Sequence, residues 1–226
     1  MTLTSAAKRV TCDQCLRPLS GCICRWITPT AHAVEVVLLQ HPLEEHGAKG
    51  SARLLHLSLP RSRMVTGEVF AERELQALLR DPFESDITTT NNAKQAILLY
   101  PHSTDGSSTP PIVTPEMLSE PSRLRLIVLD GTWRKSRKML HLNPALQRLP
   151  RLSLNDVPAS RYLIRKAHRA EQLSTLEATC LALVQLEGNA AQFLPLLSAF
   201  DGFVAQQLAQ RDAGIAAASK SSQNII

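Results

Sequence analysis

No apolar stretch of about eighteen residues, the length that carries a helix across a bilayer, occurs in this chain of 226 residues. The first ten residues hold no apolar core of a secretory leader either. Neither a membrane span nor a signal peptide is expected, and the cytosol is the expected compartment. Glycine-rich phosphate turns are also missing. No Gly-x-Gly-x-x-Gly follows an apolar run and no P-loop is present, so an ordinary dinucleotide or nucleoside-triphosphate site is unsupported. Tryptophan is scarce, with two in the chain. A large excess of one charge is absent as well: 25 Lys and Arg stand against 20 Asp and Glu, for a net charge of +5 and a pI of about 9.1. Any affinity for a polyanion must therefore come from clustering. Two clusters exist, at residues 134–138 and 161–169.

In a reducing compartment disulfides are disfavoured, so cysteine spacing carries information. Four of the five cysteines fall in one short segment: Cys12, Cys15, Cys22 and Cys24. A Cys-x-x-Cys pair followed by a close Cys-x-Cys pair lets four thiolates converge on one tetrahedral ion, with residues 17–21 as the turn between them. A structural zinc is expected there; redox-active or free thiols are the alternative. Such a site would fix a segment too short to own a core, and residues 1–31 are set apart on this ground. Cys180 lies in an apolar helical stretch and reads as a packing residue.

At this length the chain can bury one substantial core. Apolar runs rich in branched side chains predict buried strands at 33–39, 96–100, 124–129 and 149–154, with a shorter one at 63–67. Helical spacing marks 49–57, 72–80, 133 to about 143, and 193–210. Ser174 and Glu177 form the capping box of a further apolar helix that Gly188 ends. Strands alternating with helices predict an α/β fold with a mostly parallel sheet flanked by helices. Residues 32–211 form this body, and a mobile tail is expected over 212–226. Pro42 cannot continue a central strand, which puts His41 and the loop through Glu44, Glu45 and His46 at an edge. That loop reads as polar and not as a metal site.

The densest chemistry is at the end of the 124–129 run. Leu129 leads into Asp130-Gly131-Thr132-Trp133 and then Arg134-Lys135-Ser136-Arg137-Lys138. An acid, a glycine and a hydroxyl thus stand at the carboxyl edge of a strand, where open α/β sheets bind ligands. The plain reading is a helix N-cap. A large flat ring beside a carboxylate and four cations instead suits stacking on a base or cofactor. Farther on, Arg161, Arg165 and Lys166 around Tyr162 suit phosphates plus one base or ribose contact.

The string Asp130-Gly131-Thr132-Trp133 after an apolar strand resembles the signature of the DTW-domain family, the tRNA-uridine aminocarboxypropyltransferases. Gln40-His41-Pro42 with Glu44 resembles that family's first loop motif, and Ser174-Thr175-x-Glu177-Ala178 its last. Ser160-Arg161 with Arg165 partly matches its Ser-x-x-Arg pattern, and the cysteine cluster matches many members. The likeness runs from the cysteines to about Gly188. It implies a SPOUT-like fold with a trefoil knot, S-adenosylmethionine as cofactor and tRNA as partner. The implied reaction moves the 3-amino-3-carboxypropyl group to N3 of a uridine in the variable loop and releases methylthioadenosine.

On that reading Asp130 is the candidate base, or a charge beside the sulfonium. Trp133 stacks on uracil or adenine, and Thr132 orients a polar group. Tyr100, Pro101, Leu129, Gly131, Leu173, Ser174, Thr175 and Glu177 form the cofactor pocket, with the helix start holding the methionine carboxylate. His41, Arg134, Lys135, Arg161, Arg165 and Lys166 meet RNA. No obligatory protein partner is implied. Two other readings use the same features: an S-adenosylmethionine-dependent RNA methyltransferase, and a zinc-containing RNA-binding protein without catalysis.

Overall fold

The computed structural model describes residues 10–45, 47, 50–83, 93–102, 111–154 and 173–223, with the backbone alone at 214 and 216–223. Five parallel strands form one sheet in the order β2-β1-β4-β3-β5. They are β1 (Glu35–Gln40), β2 (Ser62–Thr66), β3 (Gln95–Leu99), β4 (Leu124–Asp130) and β5 (Arg151–Leu152). Every residue of β1 and of β4 is buried. A strand covered on both faces needs apolar side chains on both, and for that reason these two read as continuous apolar runs in the sequence.

Alternation along the strands sorts two cores. Val36 and Leu38 of β1 and Leu126 and Val128 of β4 face α1 (Ala52–Ser58), α6 (Thr175–Glu187) and α7 (Ala190–Gln223). Val37, Leu39, Ile127 and Leu129 face α2 (Glu72–Arg80), α4 (Trp133–Leu142) and α5 (Pro144–Gln147). A short α3 (Pro115–Leu118) precedes β4. The result is a helix–sheet–helix sandwich, as the alternation of strands and helices predicts.

Three features depart from the sequence reading. β1 is interior, not an edge: Pro42 ends it by opening a 3-10 turn at Pro42–Glu44 just beyond the strand. α7 continues to Gln223, past Asp212 where a tail was expected. The cysteine segment is no separate unit, since Cys15 and Ile23 are buried in the same core as β1 and α7.

At the amino edge of the sheet lies a buried ion cluster that the apolar pattern conceals. Glu35 and Arg125 are register partners, both fully buried, joined by Arg125 Nε and Nη2 to Oε2 at 2.9 and 2.5 Å. Arg125 also donates to the carbonyls of Leu78 and Asp81. Lys94 and Arg61 reach Glu35 at 3.0 and 3.2 Å. Charges this deep are tolerated when each finds several partners. The cluster joins β1, β4 and the end of α2, at the opposite end of the strands from Asp130.

Candidate active site at the carboxyl edge of the sheet

Asp130 and Gln40 are the last register pair of β4 and β1. Their side chains meet, with Gln40 Nε2 donating to Asp130 Oδ2 at 2.9 Å. Thr175, the first residue of α6, donates from Oγ1 to Asp130 Oδ1 at 2.6 Å. The backbone N–H of His41 donates to the Asp130 carbonyl at 2.9 Å. Asp130 is 2% exposed. The ends of β1 and β4 and the start of α6, distant in sequence, thus meet at one carboxylate, each of whose oxygens accepts from a donor.

The turn that follows is packed tightly. A Cβ at Gly131 would lie 3.1 Å from Lys135 Cβ and 3.6 Å from His41 Cβ, so a side chain there presses α4 against the β1 loop. Thr132 is the N-cap of α4: its Oγ1 accepts from Lys135 N at 3.4 Å, and its carbonyl accepts from Ser136. The plain capping role therefore holds for Thr132, whose side chain stays at the surface.

Trp133 opens α4 and is 51% exposed. Its ring meets Tyr100 edge-on, with centroids 5.9 Å apart and planes at 75°. Tyr100 is half-buried just past β3; burial pushes its phenol above the ordinary range, opposed by the charges of Arg137 and Arg151. The Arg151 guanidinium stands 5.3 Å from the Tyr100 ring, and Nη1 donates to the carbonyl of exposed Pro101. Leu129 faces the α4 side of the sheet as a core residue.

At α6 the sequence signal is local and the structure follows it. The Ser174 hydroxyl accepts from Glu177 N at 3.2 Å, and the Glu177 carboxylate accepts from Ser174 N at 2.8 Å. Leu176 N donates to Ser51 Oγ at 3.3 Å. Leu173 is half-buried, and Ser174 and Glu177 are buried. The expected cradle for a carboxylate differs from this arrangement: the hydroxyls of Ser174 and Thr175 and the N–H groups of Leu176 and Glu177 already serve the fold.

Among the basic residues, Arg134 is exposed at the start of α4. Lys135 Nζ reaches Glu44 at 2.8 Å and Lys138 Nζ reaches Glu68 at 2.9 Å. His41 is 6% exposed. Its Nε2 lies 2.9 Å from Glu68 and its Nδ1 accepts from Leu43 N. That is a bracing position, not a surface contact. Lys138 first, and then His41, hold the Glu68 carboxyl below its usual range. Arg161, Arg165 and Lys166, with Ser160 and Tyr162, lie outside the described residues.

Sequence reasoning missed Glu68, Asn143 and the part played by Gln40. Asn143 is buried, accepts from Phe70 N and donates to the carbonyls of Glu68 and Met139, which ties the end of α4 to the loop after β2. The residue pair Gln40-His41 is visible as a motif, but nothing local tells that both side chains turn inward.

The four cysteines do converge. Their Sγ atoms all lie within 4.8 Å of one another, with Cys12 to Cys24 at 3.6 Å and Cys15 to Cys22 at 3.8 Å. A tetrahedral ion with Zn–S bonds of about 2.3 Å requires S···S edges of about 3.8 Å, so the donor set fits. Backbone N–H groups of Cys15 and Gln14 pull the Cys12 thiol down to about 6, whereas burial pushes Cys24 up to about 12. Cys180 is fully buried in α6, its thiol raised by burial to about 12, as suits a packing residue.

The residues gathered here define a class: α/β proteins that bring polar side chains from strand ends and a helix start together at the carboxyl edge of a parallel sheet, the edge where such folds bind ligands. Within that class the chain belongs to the DTW-domain family, whose pattern matches residues 9–208. It is 31% identical over 193 residues to tRNA-uridine aminocarboxypropyltransferase 2 of Drosophila melanogaster, covering 83% of this chain and 71% of that protein. To tRNA-uridine aminocarboxypropyltransferase 2 of Macaca fascicularis it is 28% identical over 188 residues, covering 81% and 59%. To tRNA-uridine aminocarboxypropyltransferase A of Arabidopsis thaliana it is 28% identical over 155 residues, covering 62% and 54%. The chain thus spans little more than half the length of the macaque and plant relatives. No solved structure matches it.

Proposed function

We propose that this chain is a tRNA-uridine aminocarboxypropyltransferase. It moves the 3-amino-3-carboxypropyl group of S-adenosylmethionine to N3 of a tRNA uridine, in the variable loop, and releases methylthioadenosine. The observation that carries the reading is the meeting at Asp130 of the three segments that resemble the family's motifs. Gln40 comes from 90 residues away and Thr175 from 45.

The aromatic corner of Tyr100 and Trp133 fits a flat base, and it stands beside the exposed cations Arg134 and Arg137. In this chemistry S-adenosylmethionine, when bound, supplies an electrophilic carbon next to a sulfonium. Trp133 and Tyr100 would hold a base against that carbon, and Arg134 and Arg137 would take the neighbouring phosphates. Asp130 is buried with both oxygens engaged, which favours an orienting role at the strand end over direct proton transfer from the base. The four cysteines would hold zinc as a closed structural site. A SPOUT-like fold with a trefoil knot belongs to the same reading and is implied by the family resemblance; the five-stranded parallel sheet with β4 between β1 and β3 agrees with its α/β part.

The test is mass spectrometry of nucleosides from tRNA incubated with the protein and S-adenosylmethionine. A uridine heavier by the aminocarboxypropyl group, with methylthioadenosine released, is the expected result. A methyl gain would make the protein a methyltransferase. No change with any tRNA would leave it a binding protein. For the metal, elemental analysis of fresh protein should give about one zinc per chain.

A further inference from the structure

We infer that Gln40 is a positioning residue for the reaction, acting through Asp130; this rests on the transferase reading. The Asp130 carboxylate stands at the end of β4, and its plane is set by two donors from different elements. One is the Gln40 amide from β1 at 2.9 Å, the other the Thr175 hydroxyl from α6 at 2.6 Å. Thr175 is in turn fixed by its own helix, since its carbonyl accepts from Thr179 Oγ1 at 2.7 Å and the capping box holds the turn before it.

Gln40 is the second clamp, and its backbone is committed as well: its carbonyl accepts from Gly67 N at 2.9 Å. A glutamine that is 4% exposed, at the end of a buried strand, would otherwise be a poor choice. The amide earns its place by donating to a buried carboxylate, a bond of the strong, charge-assisted kind. Gly131 and Thr132 follow Asp130 directly and Trp133 starts α4, so this carboxylate stands three residues from the aromatic corner. Loss of the Gln40 donor therefore frees Asp130 Oδ2 while the backbone bond from His41 to Asp130 stays in place.

Two substitutions separate positioning from packing. Gln40→Met keeps the volume and removes the donor. Gln40→Glu puts a carboxyl against a carboxylate, and the pair can be bridged only when it shares a proton. Among the described residues, His41 just after β1 and Lys135 of α4 both approach Gly131, the residue after Asp130; His41 in turn meets Glu68, and Glu177 stands two residues beyond Thr175 in α6. All are present in wild type and in both variants, and Gln40→Met, which adds no titratable group, reads their own contribution to the pH dependence.

The experiment measures kcat and KM for tRNA and for S-adenosylmethionine between about pH 6 and pH 8.5, with a thermal melt of each protein. Gln40→Met is expected to lower kcat on the order of a hundredfold, the scale of a small misplacement at a reacting centre, by a factor that does not vary with pH. Gln40→Glu is expected to be as poor at pH 8.5, with its kcat relative to wild type rising at least about tenfold toward pH 6 as the shared proton restores the bridge. A ratio that stays flat with pH, or a Gln40→Met protein within about twofold of wild type, overturns the positioning role while the transferase reading stands. Wild type inactive on every tRNA overturns both.

Discussion

Trp133 leaves half its surface in solvent while one edge rests on Tyr100. A ring so placed adds little to the core, so Trp133→Ala should leave the melting temperature nearly unchanged. Stacking on one base contributes about 1–3 kcal/mol, and the tRNA dissociation constant should rise roughly five- to 150-fold on that scale. Measured by fluorescence anisotropy with S-adenosylmethionine affinity followed in parallel, a loss confined to tRNA assigns the ring to uracil, and a loss confined to the cofactor assigns it to adenine. Neither affinity changing would remove Trp133 from the site.

A second residue, His32, sets how stability follows pH. It is 7% exposed, its Nδ1 lies 2.6 Å from the Val34 carbonyl, and its Nε2 accepts from Arg61 N. That pattern holds the neutral ring, and desolvation lowers its pKa below the usual 6.5. The unfolded chain therefore binds this proton first, and stability is lost as pH falls below about 6.5, by at most about 1.4 kcal/mol per pH unit for one such group. His56 is shifted in the same direction by burial. Urea unfolding at pH 7.5 and 5.5 should show the loss, and His32→Gln should reduce it; an equal slope in the variant would discard His32 as a cause.

Among the elements, α6 is the one whose ends were legible residue by residue. Ser174 and Glu177 form the capping box, and Gly188 closes the helix at a φ of 70°. Ser174→Ala should cost about 1 kcal/mol in urea unfolding, within the range of about 0.5–2 for such caps. The helix start also anchors Thr175 against Asp130, so the same substitution should reduce transfer activity by more than the fraction unfolded explains; a loss that tracks stability alone would make the cap purely structural. α4 was legible in the same way, from the Thr132 cap to its end before Pro144, because capping and proline effects act within one turn. β5 shrank from six residues in the sequence reading to Arg151–Leu152. Branched side chains mark a run as suited to a sheet, but β3 ends at Leu99, the partner of Leu152, and Pro150 on the other side has no N–H to give the ladder.

Across the whole molecule, the cysteine segment joins the two termini of the described chain. Trp26 Nε1 donates to Gln206, Gln206 donates to the Cys22 carbonyl, and Gln210 donates to the Ser20 carbonyl. Gly202 gives the Trp26 ring its place against α7, where any Cβ would run into the ring. On the other side Arg17 reaches the Gly50 carbonyl, and Arg53 reaches that of Gln14 at the start of α1. Stripping the metal with a chelator should therefore lower the melting temperature, expose residues 10–26 to protease and change the fluorescence of Trp26. If zinc is shown to leave and none of the three changes, the segment holds without it.

By itself the amino-acid order determined the five strand stretches and the longer helices, where α4 and α6 start and stop, and that four thiols would converge. These are decided within a few residues, by periodicity, capping and ligand spacing. Only the tertiary structure decided that β4 lies between β1 and β3, and so which side chain faces which across the sheet. Glu35 against Arg125 and Gln40 against Asp130 are both partnerships over 90 residues, one at each end of the same strand pair. No local pattern distinguishes a buried Gln40 that clamps a carboxylate from a surface Gln40 in a loop. Register between two parallel strands makes that choice, because a one-residue slip of β1 would turn Gln40 to the opposite face from Asp130.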